Sequence, residues 1–250
     1  TGKISIQSVE MNSSIINQEP AFILHHRKYR ESSQIIDIFT MNFGRISLIA
    51  KGSKKASYRH FIQPYQPLLI SWSGRGDLKI LRDIEANGHS IPNLQGEKLF
   101  CGYYINELII HLTHQYDPHP DIFKLYQNTL KHLTELDDFQ VVLRLFEKYL
   151  LNLLGFGLIL THDADTGLAI ESNTYYRYEI EHGPVNASND TLVTELIKGA
   201  YLLAFANNEL DGVECMTAIK RLMRKIIDYY LDGKKLNSRI LYAQFKKVSS

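Results

Sequence analysis

Between Ala21 and Asp83 apolar and polar positions alternate with a period of two. "AFILHH" is followed by "QIIDIFT", which sets Ile36 and Ile38 on one side of a pleat. "RISLIAK" sets Ile46, Leu48 and Ala50 against Arg45, Ser47, Ile49 and Lys51. "PLLISWS" aligns Leu68, Ile70 and Trp72, and "DLKILRD" aligns Leu78 and Ile80. The turn signals Asn42-Phe43-Gly44 and Gly74-Arg75-Gly76 separate these runs, so the pattern predicts five short strands. Five strands in about 65 residues suit a small closed barrel of the OB type. Residues 52–66 then form the long link between strands three and four.

From Glu97 the period lengthens. "DIFKLYQNTLKHLTEL" repeats Ile122, Leu125, Tyr126, Thr129, Leu130 and Leu133 at helical spacing. "DDFQVVLRLFEKYLLNLLGFG" predicts a helix burying Val142, Phe146, Tyr149, Leu150 and Leu153 and stopping at Gly155. "EKLFCGYYINELIIHLTH", "NDTLVTELIKGAYLLAFAN" (with Asp190 or Thr191 as N-cap) and "CMTAIKRLMRKIIDYYL" are three further helices, the last ended by Gly233. Residues 155–188 are punctuated by Asp, Gly, Thr and Asn and include the strand-like "NTYYRYEIEHG". The expected fold is α+β. It has an N-terminal extension over 1–20, an OB-type five-stranded barrel over 21–88, and a helical domain over 89–250 with a small irregular or β insert at about 155–188. The first ten residues, "TGKISIQSVE", precede Met11 and need not be native.

Charge changes this picture more than composition does. The chain as a whole carries 28 Lys+Arg against 27 Asp+Glu. From Ala21 to Arg82, however, eleven Lys/Arg face three acids, a net +8, which leaves −7 for the remainder. A basic module beside a neutral-to-acidic one concentrates polyanions. The two cysteines, Cys101 and Cys215, sit in separate helical patterns and form no CxxC pair, so neither a disulfide framework nor a thiolate zinc site has support. A reducing cytoplasm fits, and no run approaches the length of a membrane span.

Several motifs dissolve on inspection. "GRGD" at 74–77 is a hairpin turn between alternating strands, and "KGSKK" lacks the spacing of a phosphate loop. His162, Asp163 and Asp165 crowd in "THDADTG", but a metal site needs three or four converging ligands with a supporting shell, which spacing does not supply. Glu107, within "YINELII", reads as a satisfied helix–helix contact rather than a catalytic acid. No Ser/His/Asp, Cys/His or paired-carboxylate arrangement can be defended from spacing.

The basic cluster survives. Arg27, Lys28 and Arg30 lie around the first turn; Arg45 and Lys51 emerge from the third strand; Lys54, Lys55 and Arg59 follow in the long link. Arg75 lies in the turn before the last strand, and Lys79 emerges from that strand. Tyr29, Tyr58, Phe61 and Tyr65 are interleaved with them. Cations that track a backbone, with aromatics on which bases stack, are the physical recipe for single strands in a barrel groove.

"FILHHRKYRESSQIIDIFTMNFGRISLIAKGSKK" strongly resembles the N-terminal signature of the RecO family of recombination mediators. "QPYQPLLISWSGRGDLKILRDIEA", "LFCGYYINELI", "LRLFEKYLLNLLGFG" and "GKKLNSRILYAQF" continue the match in order, over residues 21 to about 246. The resemblance implies an OB-fold followed by a helical domain, with no enzymatic turnover and no cofactor, in a cytoplasmic, nucleoid-associated protein. It implies binding to single- and double-stranded DNA, annealing of complementary strands, and work with RecR that loads recombinase indirectly. It also implies binding of the acidic, phenylalanine-ended tail of single-strand-binding protein on the helical domain, where Arg144 falls at the position implicated, with Lys148 four residues on. Spacing alone makes Arg144 and Lys148 one face off the buried stripe of their helix. Many relatives carry a four-cysteine zinc module after the Gly-aromatic-Gly turn. Here that stretch reads "LILTHDADTGLAIESNTYYRY", so zinc is not carried over, and packing of Tyr175, Tyr176 and Tyr178 is the expected substitute. Two other readings stay open on the residues: an OB-fold RNA- or tRNA-binding protein without annealing activity, and a small-molecule enzyme built on the helical domain.

Overall fold

The computed structural model describes residues 15–52, 60–74, 76–88, 93–187 and 195–249. The chain divides into two compact units, residues 1–91 with 115–119, and residues 92–114 with 120–250.

The first unit is a closed five-stranded barrel. Its strands are β1 (Ile16–Tyr29), β2 (Ser33–Thr40), β3 (Gly44–Lys51), β4 (Leu68–Ser73) and β5 (Leu78–Ala86), in the cyclic order β1-β2-β3-β5-β4. Only the β3–β5 contact is parallel. The alternation read from sequence is the one that builds the core: Ile23, Ile36, Ile38, Ile46, Leu48, Ala50, Leu68, Ile70 and Trp72 all point inward. β-Branched side chains at these positions fit a pleated, half-buried surface. β1 begins at Ile16, inside the segment expected as an extension, because residues 16–21 pair with β4.

The β2–β3 turn is tightly tied. The Thr40 hydroxyl donates to the Gly44 carbonyl at 2.8 Å and accepts from the Phe43 amide. The buried Glu19 carboxylate accepts from the Asn42 amide and side chain. Gly44 has φ +68°, and a Cβ there would lie 2.3 Å from the Asp117 carbonyl oxygen. Residues 115–119 therefore pack on this corner of the barrel. The Tyr116 amide donates to the Arg45 carbonyl at 3.1 Å, and its hydroxyl donates to the Asp77 carbonyl.

The second unit holds α1 (Glu97–Leu112), α2 (Pro120–Glu135), α3 (Phe139–Leu153), α4 (Gly199–Ala206), α5 (Val213–Tyr230) and α6 (Asn237–Ser249). A three-stranded sheet, β6 (Tyr175–Glu179), β7 (Gly183–Asn186) and β8 (Leu196–Lys198), lies between α3 and α4 in the order β7-β6-β8. Asp138 caps α3 by accepting from the Gln140 and Val141 amides, and Gly155 past its end has φ +86°.

The structure departs from the expectations at four places. The helix expected from Asp190 begins only at Gly199; residues 188–194, with the expected caps, lie outside the described residues, and Leu196–Lys198 pairs with β6 instead. Sheet pairing overrides local helix propensity there. Asn237–Ser249 forms a sixth helix beyond the five that the sequence predicts. In α3, Tyr149 and Leu153 are 39% and 40% exposed, whereas Leu143, Arg144, Glu147 and Leu151 are buried. In the insert, Tyr176 and Tyr178 are buried as expected, but Tyr175 is half exposed.

Candidate nucleic-acid interface and a basic pocket

Strand register decides which cations share a face. Residues 36, 38, 46, 48 and 50 point into the core, so residues 33, 35, 37 and 39 of β2 and 45, 47, 49 and 51 of β3 point away from it. A bulge between Ile23 and His25 shifts β1, pairing His26 with Ile36 and His25 with Asp37. His25, Arg27, Arg45 and Lys51 thereby join one outward face over three strands, and Lys28 takes the other parity, opposite Gln34.

On that face the Arg27 guanidinium donates to Asp37 at 2.9 Å and the Ser47 hydroxyl donates to the same carboxylate at 2.5 Å. Half-burial depresses the Arg45 pKa, against the pull of Asp37. Beyond it, the exposed Arg30 stacks over the Tyr29 ring, 5.3 Å from its centroid. Lys79, opposite Leu48 on β5, sits 5.7 Å from the Tyr116 ring centroid. Lys54, Lys55, Arg59 and Arg75, with Tyr58, lie outside the described residues. The expected stacking aromatics need correction. Tyr65 is only 4% exposed and Phe61 packs against the barrel core, so neither offers a free ring face. Among the described residues of this unit, Phe43 and Tyr116 are the most exposed large aromatics.

In the second unit Arg144 does not stand on a solvated helix face. It is 5% exposed and its Nη2 donates to Glu147 at 2.6 Å; Glu147 is fully buried and also accepts from the Tyr104 hydroxyl at 2.6 Å. The helix is buried over a wider arc than one apolar stripe, which takes both charged residues inside. Burial raises the Glu147 pKa, with Arg144 and Tyr104 pulling the other way. Arg144 Nε and Glu147 Oε2 have no hydrogen-bond partner, an expensive condition for buried polar atoms.

Arg144 lines a cavity of about 320 Å³. Phe100, Phe139, Leu143 and Tyr242 give it apolar walls, and Lys220, Arg224 and Arg239 add three more cations. Arg239 sits 5.6 Å from the Tyr104 ring centroid and pairs with Asp228. Burial and the neighbouring Arg144 depress the Lys220 pKa. Cys101, also in the lining, has its thiol pushed up to about 12, chiefly by burial, so it is not a nucleophile. None of the three added cations was legible as a partner of Arg144, because they come from α5 and α6. Lys148 is not in the lining. Its ammonium donates to the Phe205 and Ala206 carbonyls (2.6 and 3.1 Å) and to Asn208 Oδ1 (2.6 Å), closing the C-terminus of α4.

The remaining sequence candidates are structural. Glu107 accepts from the Asn237 and Ser238 amides and the Ser238 hydroxyl, capping α6. Asp163 spends both carboxylate oxygens on protein donors: the Asp165 and Thr166 amides and the Thr166 hydroxyl on one, the Asn186 amide on the other. Among the described residues no group of three His, Cys, Asp or Glu side chains could hold a metal ion, and no helix is long and apolar enough to cross a membrane.

Comparison with known families agrees with this architecture. Residues 11–88 match the model for the recombination protein O N terminal domain, and residues 93–239 match that for its C terminal domain. A DNA repair protein RecO of Nitrosococcus oceani is 40% identical over 234 residues, covering 93% of this chain and 95% of the relative. Its counterpart in Methylococcus capsulatus is 41% identical over 224 residues (89% and 91%), and that of Coxiella burnetii 40% over 228 (89% and 96%). With an OB-type barrel, a helical unit and both family domains matched in order, the chain belongs to the RecO family of DNA repair proteins.

Proposed function

We propose that this protein is a recombination mediator that binds single- and double-stranded DNA on the barrel and anneals complementary strands. Its pocket receives the acidic, aromatic-ended tail of single-strand-binding protein, and with RecR it promotes recombinase loading at the nucleoid. The observation that carries this reading is the pairing of chemistries: a cationic outer face on the barrel, and a pocket that sets four cations against aromatic walls in the helical unit. A strand's phosphates are neutralised by Arg27, Arg45 and Lys51 on that face, with counterion release as the driving force. A tail's terminal carboxylate suits the Arg144 guanidinium, whose Nε is unpartnered, while its ring fits between Phe100, Leu143 and Tyr242. Lys148 drops out of that role, because its three donors are committed to the end of α4.

The test is a strand-annealing assay with and without cognate single-strand-binding protein, run beside polarisation titrations of DNA and of the tail peptide. Lys51→Glu, Lys54→Glu and Lys55→Glu together are expected to weaken DNA binding for all sequences alike and to flatten its salt dependence, leaving peptide binding intact. Arg144→Ala is expected to abolish most peptide binding and spare naked DNA, and Lys148→Ala to lower the melting temperature without changing peptide affinity. Wild-type peptide binding by Arg144→Ala would move the tail site elsewhere. Equal RNA and DNA binding without annealing would replace the mediator reading with an RNA-binding one.

A further inference from the structure

One acid interrupts the basic face of the barrel. Of the twelve positions that β1 (22, 25, 27, 29), β2 (33, 35, 37, 39) and β3 (45, 47, 49, 51) turn away from the core in their mutual pairing, only Asp37 is a carboxylate. It occupies the middle strand, directly between His25 on β1 and Ser47 on β3. Its Oδ2 takes the Arg27 guanidinium at 2.9 Å and lies 3.8 Å from His25 Nδ1, and its Oδ1 takes the Ser47 hydroxyl at 2.5 Å. Arg45 lies within its electrostatic reach. A guanidinium, an imidazole and a hydroxyl converging on one anion are the donors that a phosphate would use.

Stability does not account for the arrangement. The Arg27 side chain is 52% exposed and that of Asp37 23%, and exposed ion pairs of this kind contribute little to folding. The Ser47 bond could tie β2 to β3 without a charge. What the carboxylate does change is the electrostatic character of a surface otherwise built for polyanions.

We propose that Asp37 is an internal competitor of DNA phosphate: it occupies Arg27 in the free protein, and a strand must take Arg27 from it. Asp37 thereby sets an upper limit on affinity and keeps the bound strand exchangeable, a property a protein that hands strands on requires. This rests on the reading of the barrel face as the DNA surface.

The experiment is a polarisation titration of a labelled single strand over a series of KCl concentrations, with the full chain and Asp37→Asn. Asparagine retains an acceptor oxygen for Ser47 and removes only the charge. Freeing one phosphate contact steepens the log K against log salt slope by about 0.7 and tightens binding about fivefold at 0.1 M salt. In an Arg27→Ala background the same substitution is expected to gain less than about twofold, because the competed-for group is gone. Wild-type affinity and slope for Asp37→Asn, or an undiminished gain without Arg27, overturns the proposal. Asp37→Ser is run alongside with melting curves, and failure of both variants to fold would make Asp37 a structural tie and overturn it equally. Lys51→Glu separates the two levels. If it weakens binding while Asp37→Asn is silent, only the competitor role falls; if it too is silent, the DNA face falls and takes this inference with it.

Discussion

Asp163 illustrates how much one buried carboxylate decides locally. Its carboxylate spans from the Thr166 turn to Asn186 of β7, with distances of 2.7 to 3.1 Å. The Thr166 amide first, then its hydroxyl and the Asn186 and Asp165 amides, hold this carboxyl below its ordinary pKa against the effect of burial. A depressed folded-state pKa contributes stability that is complete above the unfolded value near 3.9 and is lost as pH falls through the folded one. Asp163→Ala is therefore expected to cost about 2–3 kcal/mol at neutral pH, the loss of several charge-assisted hydrogen bonds. The gap between wild type and Asp163→Asn in thermal unfolding should narrow as pH is taken below about 4. A gap that is constant from pH 7 to 3 would refute the assignment. The sequence gives no support for a metal site in "THDADTG", but spacing does not reveal which backbone amides will face Asp163.

At the level of elements, the β2–β3 corner depends on a glycine for two separate reasons. Gly44 takes φ +68°, which disfavours any side chain, and its α-carbon faces the Asp117 backbone so closely that a Cβ would come within 2.3 Å of a carbonyl oxygen. Gly76 also has positive φ, at +79°, but nothing lies within 4 Å of its would-be Cβ. Gly76→Ala is expected to cost about 1 kcal/mol from conformation alone, and Gly44→Ala on the order of 3 kcal/mol, because the 115–119 segment must also move. Urea unfolding of the two variants checks the difference; equal costs would mean that the segment yields freely. The packing of 115–119 on the barrel was not visible in the sequence, where the segment reads as an ordinary link between two helical patterns.

For the whole molecule, the strongest expectation concerns metal. Cys101 and Cys215 are both buried, in α1 and α5, and each has its thiol pKa raised by burial. Zinc needs thiolates or imidazoles converging on one point. Elemental analysis of the purified chain after chelator treatment should find no stoichiometric zinc, and one zinc per chain would return attention to the insert. Charge also acts at this scale: the basic window of the sequence corresponds to the barrel, while three of the four pocket cations, all but Arg144, come from a second basic stretch at the C-terminal end, in α5 and α6.

The five barrel strands, α2, α3 and the basic character of the barrel were determined by the sequence alone. Each rests on the spacing of consecutive residues, or on counts within a window, and both survive without knowledge of what packs where. Arg27 and Lys51 were identifiable as cations, but only register could put them on one face and set Asp37 among them. Arg144 was placed by resemblance; its burial against Glu147 and Tyr104, and the company of Lys220, Arg224 and Arg239, arise where α1, α3, α5 and α6 meet. The same holds for α6, whose N-terminus is capped by Glu107 from 131 positions earlier. Periodicity fixes which side of an element is apolar, but it carries no information about which distant segment covers that side. A charged side chain's role follows from its partners, and in this protein those partners are brought to it by tertiary structure.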